Sequence, residues 1–206
     1  MLPPVVPPPA VGDDRLAAVY QLKIHLVGIS PRIYRRVLVR GDTSLAERHH
    51  IFQVAMGWEN WHLHRFKLWS KEYGVSYAGG SYFADDARRV HLGDFPWRVD
   101  DRFIYTYDFG DYWHYQIVLP PTAVSAHPVC VSGRRACPPK EGGGPSGYDR
   151  RTLDQFSWAY EARDRLLAGE DIRKDDGPPG FWTYWPEHFD KRQVNERWAK
   201  LYQLKG

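Results

Sequence analysis

The segment Tyr105-Thr-Tyr-Asp-Phe-Gly-Asp-Tyr-Trp-His114, continued by Tyr115-Gln-Ile-Val-Leu119, leaves this chain little choice of architecture. Rings at Tyr105 and Tyr107 alternate with Thr106, a period of two that belongs to a strand. Phe109-Gly110-Asp111 interrupts the alternation with residues that favour turns. On the return, Trp113, Tyr115, Ile117 and Leu119 fall on one face. The reading is an antiparallel hairpin over 102–108 and 112–119, with acids at its tip. An isolated hairpin is barely stable in water, so further strands must flank it.

Those strands are visible upstream. Between Val19 and Ile29, Tyr20, Leu22, Ile24 and Leu26 alternate with Gln21, Lys23 and His25. Gly28 to Pro31 supplies a turn, and Ile33, Arg35, Val37 and Val39 then share a face. His62 to Trp69 alternates again. Between these strands, Ser44-Leu-Ala-Glu47 has the spacing of a capping box. Leu45, His49, Phe52 and Met56 follow at helical intervals, and Gly57 closes the helix. A second box, Thr152 to Gln155, is expected to open a helix with Leu153, Phe156, Tyr160 and Leu167 on one side. Asp190 is expected to cap a third, bearing Val194, Trp198 and Leu201.

The fold class expected is therefore α+β. It comprises a mostly antiparallel sheet with strands near 18–29, 32–40, 62–69, 102–108 and 112–119. The 44–56 helix packs on one face, and helices near 152–168 and 190–204 complete the core. One domain is expected over 17–206, after a disordered Pro-rich tail over 1–16. The tail lacks the basic flank and continuous apolar core of a signal peptide. No apolar run reaches the length a membrane helix needs. Two cysteines make no disulfide framework, so a reducing cytoplasm is the expected setting.

Four stretches together resemble the Ri-plasmid (pRiA-type) ORF-3-like family, also catalogued as insertion-element passenger proteins of a TnpR-like type. The first is Ser30-Pro-Arg-Ile-Tyr-Arg-Arg-Val-Leu-Val39. The second runs from Leu45 through His49, Ile51 and Gln53 to Met56-Gly-Trp58, then His62, His64 and Phe66. The third is Tyr105 to Trp113. The fourth runs from Pro128 and Cys130 through Ala136-Cys-Pro-Pro139 to Tyr148. The resemblance covers roughly residues 17 to 204. It implies an α+β fold and a mobile-element setting, and brings no settled activity with it. Where the family loop carries an acid after Cys-Pro-Pro, this chain has Lys140, which removes the first acid of that loop.

The residues suggest two chemistries. His62, His64, Asp108, Asp111 and His114 could together hold a transition metal for water activation. Against this, Gly110 and Asp111 serve equally well as turn residues, and the spacing is loose. Cys130 and Cys137, with His127 as a third donor, are too far apart for the usual zinc pairs. Asp108-Phe-Gly110 lacks a nucleotide loop before it, and Gly142 to Gly144 lacks the Lys-Ser/Thr of a phosphate loop. The second chemistry is recognition. Arg32, Arg35, Arg36, Arg40 and Arg48 cluster locally, and arginine forks suit phosphate or carboxylate. The formal charge of +3 is too mild to identify a nucleic-acid binder by itself.

The expectation is a non-enzymatic accessory protein that binds protein or nucleic acid. Its contacts are assigned to Arg35, Arg36, Asp108, Asp111 and His114, with no cofactor, no metal and no membrane. The alternative is a metal-dependent hydrolase or nuclease built on the His/Asp set.

Overall fold

A computed structural model describes residues 15–76, 82–83, 85–98, 100–118, 128–139, 143–173, 175–178 and 184–203, excluding the side chains of 115–118 and 203. Residues 1–14 of the expected 1–16 tail, Leu119, His127 and residues 140–142 lie outside the described residues.

The α+β fold is present. The strands are β1 Val19–Leu26, β2 Tyr34–Arg40, β3 His64–Leu68, β4 Lys71–Gly74, β5 Asp85–Asp86, β6 Arg102–Tyr107, β7 Trp113–Val118 and β8 Val129–Arg134. They form one sheet in the order β5-β4-β3-β6-β7-β1-β2-β8. Every pairing is antiparallel except β4 with β5. The hairpin forms over Arg102–Tyr107 and Trp113–Val118, with Tyr105 opposite Tyr115 and Tyr107 opposite Trp113. A long-range seam, Ile24 against Ile117 and His25 against Gln116, joins it to the β1–β2 hairpin.

Helix α1, Leu45–Met56, begins at the expected box. Ser44 Oγ accepts from the Glu47 amide, and Glu47 Oε2 accepts from the Ser44 amide at 2.9 Å. Gly57 ends it at φ 85, a left-handed conformation that glycine adopts without strain. Leu45, Phe52 and Met56 are buried against the sheet with Leu22, Ile24, Phe66 and Tyr105.

Two expectations about helices need correction. Helix α2 spans Gly144–Leu167, so it begins eight residues before Thr152. Thr152 lies inside it and donates its hydroxyl to Tyr148 O at 2.8 Å instead of capping. The buried side of α2 is Tyr148, Gln155, Trp158 and Ala162, while Leu153, Phe156, Tyr160 and Leu167 face outward. Helix α3, Lys191–Gln203, is capped by Asp190 as expected, and Val194 and Trp198 are buried. Leu201 stays exposed. Among the described residues no helix is long and apolar enough to cross a membrane.

Candidate functional site

The strand alternation that buries Ile33, Val37 and Val39 carries Arg35 inward with them. Arg35 is 3% exposed. Its Nε donates to Ala55 O at 2.9 Å, and its Nη1 donates to Tyr34 O and Arg134 O at 2.8 and 3.0 Å. The guanidinium also stacks over Phe189 at 4.2 Å. Assigning Arg35 to a partner-facing surface is therefore wrong: it bolts the last turn of α1 to β2 and β8. Arg48 is also fully enclosed, its Nη1 and Nη2 lack hydrogen-bond partners, and burial lowers it to about 9. Arg40 is ion-paired to Asp42 at 2.6 Å. Of the assigned arginines, only Arg36 is exposed on the sheet.

The acid–histidine set divides in the same way. His64 lies on the α1 face of the sheet with Phe66, since residues two apart on a strand share a face. His114, adjacent to inward-facing Trp113, lies on the opposite face and contacts Thr106 Oγ1 through Nδ1 at 3.2 Å. Burial, then Arg65, lowers the His114 pKa. Asp111 turns toward α2, accepting from the Gly143 amide at 3.0 Å. Asp108, at φ 58, caps the hairpin turn by accepting from the Gly110 amide at 2.9 Å. Its other oxygen lies 3.7 Å from His62 Nε2. Only His62 and Asp108 of the five thus meet, so the metal cluster of the alternative reading is not assembled. Among the described residues no three His, Cys, Asp or Glu side chains gather to hold a metal ion. Cys130 and Cys137 are free thiols, and burial raises the pKa of both, Cys130 to about 11.

What does converge is a different group. A cleft of about 350 Å³ opens between α1, the start of β3 and the hairpin tip. His49, His50, His62 and His64 line it, with Trp61, Phe83 and Phe109 as its rings. The His49 and His64 imidazoles stack face to face, 3.5 Å between centroids and 6° from parallel.

The protons around His49 can be assigned. Gln53 Oε1 accepts from the Asn60 backbone amide at 3.0 Å, which turns Gln53 Nε2 toward Tyr105 Oη at 3.1 Å. Tyr105 Oη–H donates to His49 Nδ1 at 2.6 Å, and His49 Nε2–H donates to Asn60 Oδ1. His49 is thus a neutral imidazole in one tautomer. Burial chiefly lowers its pKa to about 4, and burial with the neighbouring His49 lowers His64 to about 3.

The frame is stiff. Tyr107 Oη accepts from the backbone amides of Trp61 and His62 at 3.0 and 3.4 Å. A Cβ on Gly74 would stand 2.5 Å from the Phe83 ring, so glycine there lets that ring lie against β4.

His49, His50, Asn60, Trp61, Phe83 and Phe109 were not among the expected site residues. His49 carried a signal in the sequence, since a histidine on the buried stripe of an amphipathic helix needs a polar partner. Asn60 and Phe83 come from loops whose approach to α1 depends on the whole sheet.

The family model for plasmid pRiA4b ORF-3-like proteins matches residues 18–164, which hold every residue lining the cleft. The chain belongs to the plasmid pRiA4b ORF-3-like family. Within similar proteins, an uncharacterized protein, y4hQ of Sinorhizobium fredii (strain NBRC 101917 / NGR234), is 35% identical over 140 residues. That match covers 65% of this chain and 71% of the relative. The crystal structure of MM3350, a protein of unknown function from Methanosarcina mazei Go1, superposes with a TM-score of 0.66 at 29% identity. It covers 85% of this chain and 96% of the other. The ORF-3-like family match ends within α2, so α3 lies beyond it.

Proposed function

We propose that this ORF-3-like chain is a binding protein and not a catalyst, and that it recognises its partner through the histidine cleft. The observation behind this reading is the separation of the groups. His62 and Asp108 meet at the rim of the cleft, while Asp111 and His114 point elsewhere. The cleft itself gathers rings and the neutral imidazoles of His49 and His64, and among the described residues its lining holds no Ser, Thr, Cys or Lys to serve as a nucleophile. Its setting on a mobile element and in the cytoplasm remains part of the same proposal.

Phosphate is a poor fit as the main contact. Arg35 and Arg48 are buried, and Arg40, Arg65 and Arg88 already meet carboxylates. Exposed pairs of that kind are weak individually, but they engage those three forks, and the exposed Arg36 lies on the sheet face opposite α1, away from the cleft.

The test is turnover. Purified protein is incubated with an activated phosphodiester and with Zn²⁺, Mn²⁺ or Mg²⁺ in turn. No protein-dependent hydrolysis is expected. Metal-stimulated hydrolysis that disappears in folded Asp108→Ala and His62→Ala variants would make the chain an enzyme and end this reading.

A further inference from the structure

We infer that the cleft receives one planar, uncharged heteroaromatic ring of nucleobase size, presented by a free nucleoside or by a base in a single strand. This rests on the binding reading above and adds the class of ligand. Size sets the first limit. Ligand pockets commonly span about 300–1,000 Å³, and 350 Å³ lies at the small end, enough for one ring system and too little for a dinucleotide.

Charge sets the second limit. Among the described residues the lining contains no Asp, Glu, Lys or Arg. The stacked pair His49 and His64 is neutral at physiological pH, because burial opposes its protonation. The carboxylate at the rim, Asp108, faces His62, so the inner wall formed by His49 and His64 offers no counter-charge to a phosphate or an ammonium.

Shape and polarity set the third. Trp61, Phe83 and Phe109 supply faces on which a flat ring can stack, and the outer imidazole, His64, extends the wall. His50, Asn60 and His62 stand among these rings. Asn60 spends its side-chain oxygen on His49 and its backbone amide on Gln53, which leaves the side-chain nitrogen to meet a ligand. A plain hydrocarbon ring would cover the Asn60 side-chain nitrogen without offering it an acceptor, at a cost. A base, with donors and acceptors along its edge, offers one. The walls are already set, since Tyr107 holds the 61–62 backbone and Gly74 admits Phe83, so little ordering is needed on binding.

The experiment is saturation-transfer NMR on the full chain. Probes are adenosine, guanosine, cytidine and uridine, the matching 5′-monophosphates, six-residue oligodeoxynucleotides, and the N-acetyl amides of tryptophan and tyrosine. At least one nucleoside is expected to bind saturably and to shift the His49 and His64 ring resonances. Trp61→Ala, at a side chain 71% exposed and outside the core, is expected to weaken binding about tenfold or more. Leu63→Trp, at another exposed position, should fill the cleft and do the same. An oligonucleotide binding more tightly than its nucleoside identifies the single strand as source. Equal or weaker binding identifies the free nucleoside.

Binding of the aromatic amides without the nucleosides would overturn the ligand class. So would a monophosphate far tighter than its nucleoside, or no binding at all. Undiminished nucleoside binding in both folded variants would overturn the location. None of these results affects the turnover test, so the two readings fail separately.

Discussion

Arg35 Nε and Nη1 bind three carbonyls from three parts of the chain: the end of α1, β2 itself and the end of β8. Removing the side chain leaves those oxygens enclosed without donors, at about 1–3 kcal/mol for each that water cannot reach. Arg35→Ala is therefore expected to lower stability by about 2–4 kcal/mol, read as a shift in the urea midpoint. Arg36→Ala, on the exposed side of the same strand, should stay within about 0.5 kcal/mol. Equal effects from the two would contradict the placement. The sequence held the information to separate them, because Arg35 shares its period with Ile33, Val37 and Val39. An arginine on an apolar stripe is ambiguous until its acceptors are known, and those lie at Ala55 and Arg134, far along the chain.

Among the elements, β1, β2, β3, β6, β7 and α1 were legible because alternation and the Ser44–Glu47 box are local properties, whereas β4, β5 and β8 fall outside the strands expected from alternation. Helix α2 was legible as a helix but not in its facing. Two apolar stripes run along it, Leu153–Phe156–Tyr160–Leu167 and Tyr148–Trp158–Ala162, and helical period alone cannot choose between them. The packed one is fixed by tertiary neighbours: a Cβ on Gly177 would stand 2.6 Å from Trp158 Nε1. Trp158→Ala is expected to cost about 3 kcal/mol and Tyr160→Ala less than about 0.5 kcal/mol in the isolated chain. Thermal denaturation of both variants checks this, and the reverse ranking would mean that α2 is turned the other way. The helix start was missed because Gly143-Gly144-Pro145 reads as a loop. Gly144 instead sits at φ 66 with no room for a side chain, since a Cβ would stand 2.5 Å from Asp111 O.

At the scale of the whole molecule, the buried imidazoles make stability depend on pH. His49 and His64 have folded pKa values of about 4 and about 3, below the ordinary 6.5. Below 6.5 the unfolded chain takes up protons that the folded chain refuses. Stability is thus complete above 6.5 and is lost as pH falls toward 4 and then 3. The slope is about 1.4 kcal/mol per pH unit for each histidine while both conditions hold. His114, also lowered by burial, acts in the same direction. Urea midpoints measured from pH 7.5 to 4.5 are expected to fall steadily below 6.5, less steeply in His64→Phe. A flat profile would mean that these rings are not desolvated. The cleft was hardest to read from sequence for a related reason: it exists only where a helix, a strand, a hairpin tip and a distant loop come together.

The seam between β1 and β7 has a consequence during synthesis. The ribosome makes β1 and β2 first, and local pairing can close that hairpin at once. One side of β1 then waits for Trp113–Val118, some ninety residues later. Throughout that interval Lys23 to Leu26 offers bare amides and carbonyls to any neighbouring extended chain. Lys23 stands in this stretch, and a charged lysine is a common guard on a strand that must not find the wrong neighbour.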